Sequence, residues 1–276
     1  MSEEAMVAEK QLEEMQAIVE KQEKSADEEV TKEAVKQFKV EEGKNKPYVR
    51  MSREERFARE EKEKLDKWVP ITQLGKDVRA GKIKDIDEVF SMGIQIMEPE
   101  IVDLLIPNLQ KDVLFIGQSK GKFGGGKRRI FRQTQKVSKE GSSLTFGVMA
   151  VVGDGKGHIG MGYGRAGETL PAREKAVRKA KLNLTRIPRG CASYDCLCSE
   201  PHSIPIAIEG KCSSVKVKLI PAPQGTGLVV GKELKKILKA VGIKDIYSKT
   251  SGSVQTTFNA AKACMAALNK LNNLEM

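Results

Sequence analysis

The feature that most constrains the fold is a strand–turn–strand–helix signal in residues 146–184. Residues 146–152 form an apolar run, residues 153–157 read Gly-Asp-Gly-Lys-Gly, and residues 159–163 return as a second short run. Two such runs joined by a short Gly/Asp segment close as an antiparallel hairpin. From about Leu170 the period becomes helical. Pro171 stands near the start, Ala176, Val177, Ala180 and Leu184 share one face, and Arg173, Lys175, Arg178, Lys179 and Lys181 cover much of the rest. A hairpin and a helix must each bury one face, so an α+β layer is expected and an all-helical bundle is excluded.

A second unit follows the same plan with different residues. Ile204, Ile206 and Ile208 alternate, Gly210-Lys211 turns, and Val215, Val217 and Leu219 alternate while Lys216 and Lys218 face outward. Residues 221–227 are a Pro/Gly loop. Leu234, Ile237, Leu238 and Val241 then keep helical spacing until Gly242, and Phe258, Ala261, Met265 and Leu268 mark a last helix. The two units read β-β-α and β-β-α-(β)-α. Ahead of them, short helices are expected over residues 83–90 and 99–106, the latter with Pro99 in its first turn, and a strand over 113–116.

Charge divides the chain. Residues 1–67 hold 15 Lys and Arg against 19 Asp and Glu, leaving 33 against 18 in residues 68–276, so the overall +11 splits into −4 and +15. A globular region this basic points to a polyanionic partner, since neutralised phosphates release counterions; a basic but soluble enzyme is the bland alternative. In the acidic part Leu12, Met15 and Val19, and then Val30, Ala34 and Phe38, follow helical spacing. The segment reads as an extension with two short helices, ordered on binding. Residues 43–67 turn basic and are either a helix lying on RNA or a solvated linker. The expected organisation is a charged extension over 1–67, a first domain over 68–190 with a basic Gly-rich loop at 117–132, a Cys/His loop over 191–202, and a C-terminal α+β domain over 203–276. No apolar run approaches ~20 residues, so no transmembrane helix is expected, and the acidic start lacks the pattern of a signal peptide. Five cysteines without a secretion signal argue for a reducing, cytoplasmic setting.

Two glycine patterns mimic nucleotide-binding fingerprints. Gly121–Lys127 fits G-x-x-x-x-G-K, but position 128 is Arg where a magnesium-holding Ser or Thr is needed. Gly155-x-Gly157-x-x-Gly160 is followed by a strand pattern and not a helix, so it reads as a hairpin turn. The basic loop is more informative. Lys120, Lys122, Lys127, Arg128, Arg129 and Arg132 are interspersed with glycines that let a backbone approach phosphates, and Phe123 and Phe131 are placed to stack on unpaired bases. The alternative is a flexible solvated loop. Arg165 and the helix carrying Arg173, Lys175, Arg178 and Lys179 supply a second cationic surface. Cys191, Cys196, Cys198 and His202 place four soft or borderline ligands within twelve residues, a Cys₃His set suited to one structural zinc ion; the alternative is a reduced loop without metal. Cys212 and Cys264 read as small core residues and His158 as the start of a strand. With two histidines, no Gly-x-Ser-x-Gly and no His-Glu-x-x-His, no catalytic constellation is present, so a non-enzyme without a small-molecule substrate is expected. A thiol- or metal-dependent enzyme on Cys198 and His202 is the remaining enzymatic reading.

Residues 151–165, Val-Val-Gly-Asp-Gly-Lys-Gly-His-Ile-Gly-Met-Gly-Tyr-Gly-Arg, resemble the signature of the small ribosomal subunit protein five family. Residues 209–227, Glu-Gly-Lys-Cys-Ser-Ser-Val-Lys-Val-Lys-Leu-Ile-Pro-Ala-Pro-Gln-Gly-Thr-Gly, resemble its second domain. Trp68-Val-Pro, Leu74-Gly75, residues 97–103 and residues 201–205 resemble the archaeal and eukaryotic branch, and the Cys/His spacing resembles archaeal members. The resemblance covers about residues 68–276. It implies a double-stranded-RNA-binding-like first domain, a left-handed βαβ second domain, and a place near the channel by which mRNA enters the small subunit. It further implies contacts with rRNA and with neighbouring ribosomal proteins four and eight, and an influence on decoding accuracy and mRNA unwinding. Bacterial members carry a basic Gly-Arg-Arg loop between the first strands. The corresponding turn at residues 139–143 has little positive charge in this chain, and residues 117–132 resemble an insertion beside it. Lys127, Arg128, Arg129 and Arg132 are therefore expected to replace those contacts. A free RNA-binding protein acting off the ribosome is the other binding-module reading.

Overall fold

Three short helices precede the first sheet: α1 (Gln73–Arg79), α2 (Ile86–Ser91) and α3 (Pro99–Leu105). Each starts where local chemistry favours it. The Thr72 side chain accepts from the Gly75 amide at 3.1 Å, Asp87 and Glu88 lie in the first turn of α2, and Pro99 opens α3. Leu74, Val78, Ile86, Val89, Ile101 and Val102 turn inward and share a cluster with Ile83, Ile96 and Ile106. The loop before α1 is tied to this cluster by Glu98, whose Oε1 accepts from the amides of Ile71 (3.1 Å) and Thr72 (2.6 Å). Burial works against that charge, but the hydrogen bonds outweigh it and hold the carboxyl below its ordinary range.

The computed structural model describes residues 59, 62–63, 65–118, 128–191, 196, 198 and 200–272. The expected helices around Leu12 and Val30, most of residues 43–67, and loop residues 119–127 lie outside them. Met1–Glu63 and Lys64–Met276 are separate units, and helices α1 to α3 and both sheets belong to the second.

The first sheet contains β1 (Gln110–Leu114), β2 (Arg132–Ser138), β3 (Gly141–Gly153), β4 (His158–Ala166) and β5 (Leu184–Arg186), all antiparallel, with helix α4 (Thr169–Leu182) between β4 and β5. Strand β3 pairs with β4 along one edge and is long enough for two partners along the other. Its first half pairs with β2 and its second half with β1. The apolar run within it is explained by burial on both sides. Val148 and Ala150 face Ala172 and Ala176 of α4, whereas Met149 and Val151 belong to a larger core shared with the C-terminal half. That half has β6 (Ile208–Cys212), β7 (Val215–Pro221), β8 (Leu228–Val229) and β9 (Ile246–Ser251) in the order β6-β7-β9-β8, covered by α5 (Lys232–Val241) and α6 (Thr257–Asn272). All pairs are antiparallel except β8 with β9, which are parallel and joined through α5. Gly242 ends α5 in the left-handed region at φ 90°.

Several expectations shift. The strand expected at 113–116 is Gln110–Leu114, and the helix expected at 83–90 starts at Ile86. Of the alternating isoleucines, only Ile208 lies in a strand; Pro205 has no amide to give a ladder, and Ile206 is half-exposed. Leu184 opens β5 and does not belong to the helix face. Lys181, expected among the outward residues, is buried with Nζ 2.6 Å from Asp103 Oδ2. Arg132 starts β2 and so leaves the loop in which the sequence placed it.

Candidate nucleic-acid interface and metal centre

Helix α4 is seated on the sheet without long side chains. Gly160, Gly162 and Gly164 alternate along β4, and Ala172, Ala176 and Ala180 recur every fourth residue on α4. A Cβ at Gly162 would run into the Ala176 carbonyl and the Ala180 amide, and Gly160 and Gly164 face Ala180 and Ala172 in the same way. The glycines are there for close approach of two backbones. The opposite face of the helix is thereby free for charge. Arg173, Lys175, Arg178 and Lys179 are exposed, and among the described residues no carboxylate pairs with any of them. Four unpaired cations on one rigid helix form a surface able to neutralise RNA phosphates.

Arg132 and Arg165 belong to a different surface. Both pair across Gly147, on neighbouring strands of β3, and alternation along β4 puts Arg165 with Tyr163 on the face opposite α4. Arg165 donates to Thr145 Oγ1 (Nε at 3.1 Å, Nη2 at 2.8 Å) and through Nη2 to Thr134 Oγ1 (3.3 Å), so its guanidinium is held flat over the sheet. Arg129 exchanges backbone bonds with Gly117 (2.8 and 3.3 Å), which closes the neck of the basic loop; its side chain is exposed and that of Arg128 is half-buried. Lys120, Lys122, Lys127 and Phe123 lie outside the described residues. Phe131 does not stand ready to stack on a base: it packs against the Val148–Ala150 cluster. The candidate cations therefore occupy two faces of one sheet.

Sequence reasoning missed a third basic feature. Arg189, Lys235, Lys239 and Lys244 line a cleft of about 570 Å³ beside Gly155 and Gly242. Arg189 fixes this junction by donating to the carbonyls of Gly155 (3.1 Å) and Lys156 (2.8 Å). Lys235 and Lys239 are four apart on α5, a visible signal overshadowed by the apolar spacing of the same helix.

His158 starts β4 as expected and pins the hairpin turn to α2. Its Nδ1 lies 2.6 Å from Asp154 Oδ2 and its Nε2 3.0 Å from Asp87 Oδ1, with Phe90 stacked on the ring. Burial disfavours the imidazolium, but the two carboxylates outweigh it and raise the His158 pKa. Asp154 is held below its ordinary value: burial opposes its charge, while His158 and the amides of Lys156 and His158 more than compensate.

The Cys/His loop is closed by a short bridge in which Gly190 and Ser203 exchange backbone bonds of 3.0 Å. This sets Cys191 and His202 side by side at the neck. The ligand atoms of Cys191, Cys196, Cys198 and His202 all lie within 4.8 Å of one another. Four ligands about 2.0–2.3 Å from one ion stand roughly 3.5 Å apart, so the donor set fits a closed tetrahedral zinc site. Cys196 Sγ is 2.9 Å from Cys198 Sγ and 3.5 Å from His202 Nε2. The hydrogen bond between the two thiols, with the amides of Gln224 and Cys198, pulls the Cys196 thiol down to about 6, and the same bond pushes Cys198 up to about 12, so the pair favours a single thiolate. Cys264, in contrast, is fully buried in the C-terminal core, which pushes its thiol up to about 12.

Two family descriptions match the chain: "Ribosomal protein S5, N-terminal domain" over residues 130–188 and "Ribosomal protein S5, C-terminal domain" over residues 210–276. The small ribosomal subunit protein uS5 of Nanoarchaeum equitans is 45% identical over 212 residues, covering 77% of this chain and 91% of that protein. The protein of the same name from Staphylothermus marinus is 45% identical over 208 residues, with 75% and 90% covered. That of Thermofilum pendens is 46% identical over 203 residues, with 74% and 93% covered.

Proposed function

Since the chain belongs to the ribosomal protein S5 family, we propose that α4 and the arginines of the first sheet hold small-subunit rRNA and that the Cys/His loop holds one structural zinc ion. The protein is a structural constituent of the small ribosomal subunit, acts in translation in the cytoplasm, and is not an enzyme. The archaeal relatives favour the archaeal and eukaryotic branch.

The observation that carries the RNA reading is the set of unpaired cations on α4, fixed to β4 by backbone contact. The proposed division is a charged extension over 1–67, a double-stranded-RNA-binding-like domain over 68–190, the Cys/His loop over 191–202, and a C-terminal α+β domain over 203–276. The order β-β-β-α in residues 132–182 supports a double-stranded-RNA-binding-like domain, which would read A-form shape and phosphates more than sequence. The parallel β8 and β9 joined through α5 support a βαβ second domain; its left hand is what the resemblance implies. A position near the mRNA channel, contacts with ribosomal proteins four and eight, and an influence on decoding accuracy belong to the same reading. Zinc would be held by Cys191, Cys196, Cys198 and His202. With four protein ligands it would tie the loop to the fold and leave no position for a substrate. In the basic loop, Lys120, Lys122, Lys127, Arg128, Arg129 and Arg132 would supply further phosphate contacts.

The test is the salt dependence of binding to small-subunit rRNA. Arg173→Gln with Arg178→Gln is expected to flatten the slope of log K against log[salt] by about two units, and Arg128→Gln with Arg129→Gln by a similar amount. Unchanged slopes in both double variants would remove these residues from the RNA surface.

A further inference from the structure

Asp245 sits in the turn between α5 and β9, almost wholly buried, and its two oxygens serve different neighbours. Oδ1 accepts from the Gly227 amide at 2.7 Å. Oδ2 lies 2.9 Å from Nδ1 of His202, itself 2% exposed. The other imidazole nitrogen, Nε2, faces the sulfur of Cys196. The main chain repeats the link, since the His202 carbonyl accepts from the amides of Lys244 (2.8 Å) and Asp245 (3.2 Å). The carboxylate stands close to Nδ1 but off its N–H axis, so Nδ1 is a buried donor without a well-aligned acceptor. The nearby charges do not complete it. Lys244 is exposed and turns to Glu200 at 3.3 Å, so among the described residues His202 is the side chain that answers the Asp245 carboxylate.

A carboxylate behind an imidazole keeps the proton on the near nitrogen, orients the ring and makes the far nitrogen a better metal ligand. We propose that Asp245 is the outer positioning residue of the metal centre, and that through it ion binding is coupled to the Pro/Gly loop that ends at Gly227. The inference rests on the zinc reading of the Cys/His loop. It joins two motifs that are distant in sequence: His202 at the neck of the cysteine loop, and the segment 221–227. Gly227 is at φ 73°, and its carbonyl receives the Ile246 amide at 3.2 Å where β8 and β9 begin to pair. Fixing His202 on an ion therefore fixes Asp245, and Asp245 in turn holds the amide at which the loop enters β8. Without the ion the ring loses the anchor at Nε2, and the grip on Gly227 weakens.

The experiment uses the full chain and added Zn²⁺, with affinity read by competition against a chromophoric chelator. Co²⁺ serves as a second probe whose visible spectrum reports the ligand field. Asp245→Ala is expected to weaken Zn²⁺ binding roughly 10- to 100-fold and to change the Co²⁺ bands, while Asp245→Asn, which keeps an acceptor oxygen, recovers part of both. In the unmodified protein, Zn²⁺ should slow hydrogen exchange at the Gly227 amide; in Asp245→Ala it should not. Loss of folding in Asp245→Ala would move the comparison to Asp245→Asn, whose shape is nearly the same. If the unmodified protein binds Zn²⁺ and both variants match it in affinity and Co²⁺ spectrum, the role of Asp245 is overturned and the metal reading stands. If the unmodified protein takes no Zn²⁺, the metal reading falls and the inference with it.

Discussion

The two halves of the folded unit seat their helices in opposite ways. In the first, α4 buries Ala172, Ala176 and Ala180 against a strand of alternating glycines. In the second, α5 buries Leu234, Ile237, Leu238, Ala240 and Val241. The first contact is between backbones, so it leaves no room for added atoms. The second is between large side chains, so it suffers when atoms are removed. The difference bears on function. A helix seated by its backbone has few ways to shift, which gives the Arg173–Lys179 surface a fixed position on the sheet. The C-terminal half uses a more ordinary core and repeats the close seat twice, where Gly210 meets Ala263 and Ala267 of α6 and where the Ala240 carbonyl of α5 meets Gly153 of β3.

Four variants test this contrast, in order of decreasing effect. Leu238→Ala, at a fully buried site, should cost about 2–5 kcal/mol in urea denaturation. Gly162→Ala adds a single methyl group yet should cost about 1–3 kcal/mol, because the neighbours are backbone atoms that cannot repack. Equal stability of Gly162→Ala and the unmodified protein would show that α4 can lift off the strand, and the contrast would be lost. Arg173→Gln with Arg178→Gln should leave stability within about 0.5 kcal/mol, since both residues are exposed and no carboxylate among the described residues pairs with either, while weakening rRNA binding. A matching loss of stability would mean that these arginines support the fold.

The smallest effect concerns pH. His158 has a raised folded pKa, so its contribution is complete below the ordinary value of 6.5 and is lost as pH rises through the folded value. Asp154 has a lowered one, so its contribution is present above 3.8 and fades as pH falls through its folded value. Thermal unfolding should therefore show stability falling on the alkaline side of 6.5, and His158→Gln should flatten that limb. An identical limb in His158→Gln would assign the dependence to other groups.

The sequence was most legible where one periodicity served one face. Leu234, Ile237, Leu238 and Val241 mark α5 because all are buried, and Gly242 ends it by its conformation. The hairpin of β3 and β4 was legible from its apolar runs and turn. Strand β2 was not: Arg132–Ser138 is polar, and its pairing with β3 depends on a partner that local sequence does not reveal. Lys181 looked like another outward lysine because its partner, Asp103, lies on a distant helix. The Cys/His cluster was legible by spacing, whereas Asp245 was not, since it comes to His202 only when β9 takes its place in the second sheet. The division of the RNA candidates between two sheet faces likewise follows from strand pairing and could not be read from the order of charges.

As a member of the S5 family, the chain should be an integral part of the small ribosomal subunit, held there through rRNA. Sedimentation of a cell lysate through sucrose gradients, at moderate and then at high salt, tests it most directly. The chain is expected to travel with the small subunit in stoichiometric amount at both salts. Its release into the soluble fractions at moderate salt would contradict the account and identify an accessory RNA binder built on the family's fold.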